Sequence, residues 1–134
     1  MIVINEIQKS IYNCLKLQNS DNFQKLKGIF NYLDKNTDFP YIFTNINAIE
    51  DLCTFSKDIY SCSISINIFD KNTTNSFVVN LADEIKNIFS TLNNFEMQNF
   101  KIMDIKFNNF KITLESNNTI WQGELIYNIL VEKI

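Results

Sequence analysis

The side chains able to carry chemistry in this sequence are limited in type: 15 carboxylates, 12 lysines, three cysteines and no histidine. A general base working near neutral pH is most readily an imidazole, so acid–base catalysis would fall to the carboxylates. Their close pairs are Glu50/Asp51 and Asp83/Glu84. The second pair lies on a helix surface, where adjacent residues do not face each other and form no dyad. A nucleophilic thiolate needs a base or an electropositive setting; Cys53 instead follows Glu50 and Asp51, which disfavour it. Cys62 falls in phase with a row of isoleucines and Cys14 beside a helical stripe, and without a CxxC spacing or a histidine there is no zinc site. All three read as reduced. Asp70, Asp104 and Glu115 are oxygen donors, yet no Asp-x-Asp-x-Asp loop gathers them. The two glycines, Gly28 and Gly123, are too far apart to build a phosphate-cradling loop. The sequence therefore predicts no catalytic residues, no cofactor and no metal.

Binding to nucleic acid fares no better. The net charge is -3, the pI is near 4.9, arginine is absent, and the lysines are spread singly instead of forming a phosphate-neutralising stripe. No stretch approaches the roughly 18 uninterrupted apolar residues of a membrane span, and Met1–Glu6 lacks the basic and apolar regions of a signal peptide. A chain that is soluble and cytoplasmic when made is expected. With 134 residues and 46% hydrophobic content, one domain over residues 1–134 can build an ordinary core.

The elements that would position these side chains follow from periodicity. Ile4, Ile7, Ile11 and Leu15 recur at spacings of three and four, which predicts a helix over about residues 3–18. Gly28 marks a place for positive φ, and Gly28–Tyr32 reads as a short strand or extended segment. A strand enters through Pro40 and runs to about Asn47, and Ala48–Lys57, without clean periodicity, reads as a long connection. In the next segment Tyr60, Cys62, Ile64, Ile66 and Ile68 alternate with Ser61, Ser63, Ser65 and Asn67, predicting a strand with one buried and one wet face. Capping side chains over Asp70–Thr74 then introduce a helix over about 74–92, on the stripe Leu81, Ile85, Ile88 and Leu92. Phe100–Phe107 and Phe110–Glu115 read as two segments, followed by a turn at Ser116-Asn117-Asn118. A last strand over Ile120–Glu132 sets Trp121, Leu125, Tyr127, Ile129 and Val131 on one side; Ile120, Ile126 and Leu130 on the other side suit cover by a neighbouring subunit. The predicted class is α+β: an antiparallel β-sheet with two amphipathic helices packed on one face.

This order of elements resembles the tail completion family of tailed phages, prophages and gene transfer agents, which includes the tail terminators. The resemblance spans nearly the whole chain. It is carried by Ile7–Leu15, Gly28-Ile29-Phe30, Phe39-Pro40-Tyr41-Ile42, the strand ending Ile66-Asn67-Ile68-Phe69-Asp70, the helix with Leu81-Ala82-Asp83-Glu84-Ile85, and the closing Gly123-to-Val131 strand. The sharpest parts are Phe-Pro-Tyr-Ile and the step from Ile-Phe-Asp into the helix. Family members often carry arginines and a glycine-rich final hairpin, and this chain has neither.

What the resemblance implies is structural. Copies would close into a ring, generally a homohexamer, on the end of the tail tube, stop its growth, and meet the head connector with the other face. The partners would be the chain itself, the tail tube protein and a head connector or neck protein. The site of action would be the tail–neck junction of the virion after assembly in the cytoplasm. A closed ring needs two different complementary patches on each subunit. Within the Ala48–Lys57 connection Leu52 and Phe55 are the candidate anchors for a tube or subunit contact, and Trp121, at the start of the last strand, is a third interface candidate. An alternative is that Leu52 and Phe55 tuck into their own core. Other functional readings are a different neck or minor tail component of the same particle, and a small α+β module that holds a ligand.

Overall fold

The computed structural model describes residues 2–32, 37–115 and 119–134. It is an α+β fold in which a five-stranded mixed sheet, in the spatial order β1 (Ile29–Phe30), β2 (Tyr41–Asp51), β3 (Ile59–Lys71), β5 (Ile120–Lys133) and β4 (Phe100–Leu114), carries two main helices. Helix α1 (Ile2–Lys16) buries Val3, Ile7, Ile11, Cys14 and Leu15, the stripe its spacing requires. A four-residue helix, α2 (Asp21–Gln24), follows, its first turn held by Ser20 Oγ accepting from the Phe23 N–H. Strand β1 pairs parallel with β2, and the remaining pairings of β3, β4 and β5 are antiparallel.

The core lies between the sheet and its helices, with α3 (Ser76–Phe89) over β3 and β5 and α1 over β1 and β2. Ile64, Ile66, Ile68, Leu125, Tyr127, Ile129 and Val131 face Leu81, Ile85, Phe89 and the α1 stripe, each at most 2% exposed on the sheet side. Aromatic rings close one end of this layer, with Phe89 4.7 Å from Tyr127 and 4.9 Å, edge-on, from Phe95.

Four expectations are corrected. Residues 48–57 are no long connection: β2 continues to Asp51, and only a tight hairpin loop separates it from Ile59. The periodicity was hidden by a bulge at Asn47, whose extra residue sets Ile46 and Ile49, three apart in sequence, opposite Ile64 and Cys62 on one sheet face. The same device joins Phe100–Phe107 and Phe110–Glu115 into the single strand β4, with register shifts at Met103 and Asn108. Helix α3 starts at Ser76, and its N-cap Asn75 makes no side-chain capping bond; the hydroxyl of Thr74 turns to Ser76 Oγ at 3.3 Å instead. Gly28 does not have a positive φ. Its lack of a side chain makes room for the Phe30 ring, which an added Cβ would strike. The turn expected at Ser116-Asn117-Asn118 lies outside the described residues.

The serine face of β3 departs from simple alternation too. Among the described residues no helix lies over it, yet Ser65 and Asn67 are buried. Neighbouring strands fill their hydrogen bonds: Asn47 Nδ2 donates to Ser65 Oγ at 2.6 Å, Gln122 Nε2 to Asn67 Oδ1 at 3.0 Å, and Asn67 Nδ2 to the Phe43 carbonyl at 3.2 Å. Small polar side chains in the middle of long strands are buried by their larger cross-strand neighbours and satisfied by them.

Candidate functional site

Among the described residues the paired carboxylates do not converge on a common site. Glu50 and Asp51, neighbours on a strand, point to opposite faces of the sheet, and Asp83 and Glu84 sit side by side on α3. Asp70 pairs with Trp121 near one end of the sheet, whereas Asp104 pairs with Leu130 near the other. Among the described residues no group of three or more cysteine, aspartate or glutamate side chains is placed to hold a metal. Burial pushes the Cys14 and Cys62 thiols up to about 11. Cys53 is exposed, but the hydrogen-bonded Asp51 carboxylate holds its thiol above the ordinary value, the reverse of what a nucleophile requires.

One carboxylate is under electrostatic load. Asp70 is 6% exposed, and its Oδ2 lies buried without a hydrogen-bond partner among the described residues. Across the strand pair, Trp121 Nε1 is buried and unpartnered in the same sense. Desolvation raises the Asp70 carboxyl above its usual range, against the opposing pull of hydrogen bonds from the Lys71 backbone and the Asn72 side chain. With the folded pKa above the unfolded one, the native state takes the proton first as pH falls. Stability thus rises as pH drops through the raised value towards that of a free aspartate, about 3.9. Asp70→Asn is expected to raise the melting temperature at pH 7, with an advantage that shrinks as pH is lowered towards 4; thermal melts at the two pH values measure it, and an advantage that grows in acid would contradict it.

The candidate interface residues occupy two separate places. Leu52 and Phe55 lie on the β2–β3 hairpin, where Thr54 N–H donates to the Lys57 carbonyl at 2.8 Å and Lys57 N–H to Thr54 Oγ1 at 3.2 Å. That turn holds Phe55 fully in solvent, at 114% relative exposure, and Leu52 at 41%. Phe55 is not tucked into its own core. Trp121 is partly buried against the core beside Asp70. Ten residues of β3 separate the Tyr60 and Asp70 rungs, roughly 33 Å of strand, so the structure does not bring Trp121 together with the hairpin.

Sequence reasoning missed a further surface, a cleft of about 490 Å³ along the α1–β1 edge. It is lined by Asn5, Gln8, Lys9 and Tyr12 of the helix and by Ile29–Tyr32. A second cleft of about 300 Å³ continues it past Tyr12, Ile29 and Phe30 to Lys16 and Lys27. Both are open to solvent. Tyr12, which the helical stripe leaves on its flank, was the one available signal.

Set against known proteins, this arrangement of helices and strands has close counterparts. No protein-family model matches the sequence, and no curated protein matches it. Among solved structures, a chain of the "Virion of native gene transfer agent (GTA) particle" superposes with a TM-score of 0.79 at 9% identity, covering 97% of each chain. The fold is that of a chain in a virion. A second solved chain matches with a TM-score of 0.58 at 14% identity, over 96% of this chain and 92% of the other. Agreement along the whole length at such low identity means the two sequences solve the same packing problem with different residues. It is the backbone plan that this chain shares with the virion protein.

Proposed function

We propose that this chain is a structural, non-enzymatic protein of a phage-like or gene transfer agent particle, and specifically the tail terminator. In this role copies form a closed ring, generally sixfold, that ends growth of the tail tube and joins it to the head connector. The observation that carries the proposal is the end-to-end fold likeness to a chain of a gene transfer agent virion. It is supported by the order of motifs from Phe39-Pro40-Tyr41-Ile42 to Ile68-Phe69-Asp70 and by the scatter of the titratable groups. The exposed Phe55, with Leu52 near it on the same hairpin, offers such a protein an apolar point to dock with. Leu52 and Phe55 serve in this proposal as subunit or tube anchors and Trp121 as part of a second contact.

The test is electron microscopy of particles from a strain lacking the gene, with and without the purified protein added back. Full heads beside separate tails of irregular or excessive length, repaired by the protein, are the expected result. Normal joined particles would overturn the tail assignment.

A further inference from the structure

We infer that the exposed Phe55 hairpin of one copy seats in the α1–β1 cleft of a second copy, making the head-to-tail contact of the ring; this rests on the ring reading above. The two surfaces differ in shape and lie apart on the chain. The hairpin is at the end of β2, while the cleft lies against β1, which pairs with Ile42 and Phe43 at the start of that strand. A projecting knob and a separate hole on one subunit are what a heterologous, ring-closing interface needs.

The knob is a phenylalanine ring that no described residue of its own chain covers. The hole presents apolar and aromatic surface from Tyr12, Ile29, Phe30 and Tyr32, and its about 490 Å³ takes a buried aromatic side chain with room for Leu52 beside it. Charge fits as well. Glu50, Asp51 and Asp58 flank the hairpin, and its one lysine, Lys57, is turned towards Glu132 at 3.9 Å. Among the described residues the clefts are lined by Lys9, Lys16 and Lys27 and by no acidic side chain. An acidic collar around an apolar knob thus meets a basic rim around an apolar hole, which steers the pairing and sets its direction. A second copy of the hairpin-bearing end is favoured over a hairpin–hairpin contact, where the acidic collars would repel.

Native Cys53 supplies the test, because it is exposed two residues from Phe55 while Cys14 and Cys62 are buried. In particles carrying the unaltered chain, a short bis-maleimide can join copies only through Cys53, and therefore no further than dimers. In particles carrying Asn5→Cys, a cleft-lining and exposed position, each copy has one thiol at the knob and one at the hole. The expected result on a denaturing gel is a ladder beyond the dimer, lost when Phe55→Asp is added. Protein present in the particles with no band above the dimer would overturn this contact and leave the ring reading standing. Absence of the unaltered chain from the particles would overturn both.

Discussion

Phe89→Ala is expected to remove about 3–5 kcal/mol of stability, the range for deleting a buried aromatic ring together with the cavity it leaves. Phe89 closes the last turn of α3 at 2% exposure and touches Tyr127 of β5 and Phe95 of the following segment. One ring therefore fastens the helix to the sheet and the chain after the helix to both. Tyr127 cannot collapse far into the gap, since it is fixed in the middle of β5 with Phe107 also packed on it at 5.5 Å. Against a typical total of about 5–15 kcal/mol, the loss is large. Urea unfolding measures it as a fall in midpoint at unchanged slope. A loss under about 1 kcal/mol would mean that the site repacks and that α3 is held by its aliphatic stripe alone.

Gly123→Ala is expected to cost about 1–3 kcal/mol by overpacking. Gly123 sits in β5 between Ile68 and Ile112, with the first turn of α3 directly over it. A Cβ there would strike Val78 Cγ1 and come within 3.0 Å of Phe110 Cε1. Val78 is fully buried, and its β-branched side chain is stiff at χ1, so the helix start has to move. Adding Val78→Ala should restore part of the loss, and the coupling between the two substitutions reads out the contact directly. Gly28→Ala offers the contrast. The atoms met there belong to the far end of the partly exposed Phe30 ring, which can swing aside, and the cost should be smaller. Equal losses at both glycines would refute the packing account of Gly123.

The sequence by itself determined the elements whose spacing is unbroken. The three-and-four rhythm of Ile4, Ile7, Ile11 and Leu15 became α1, and the serine–isoleucine alternation of residues 60–68 became the centre of β3. Likewise Leu125, Tyr127, Ile129 and Val131 became the buried side of β5. A side chain's face is set by its own position in a regular element, so regularity makes it readable. The α+β class, the antiparallel character of the long strands and the separation of the carboxylates follow from the same local rule.

Tertiary structure decided whatever depends on two segments at once. Bulges at Asn47, Met103 and Asn108 are responses of one strand to its neighbour, and those at Asn47 and Asn108 fall where the sequence reading broke a strand off. The burial of Ser65 and Asn67 depends on Asn47, Phe43 and Gln122 arriving from other strands. Leu52 and Phe55 stood out in the sequence as apolar residues among polar ones, but only the hairpin turn fixed Phe55 in solvent. Beyond Tyr12 on the flank of the α1 stripe, nothing in the sequence marked the cleft between α1 and β1, because a concave surface belongs to neither element that lines it.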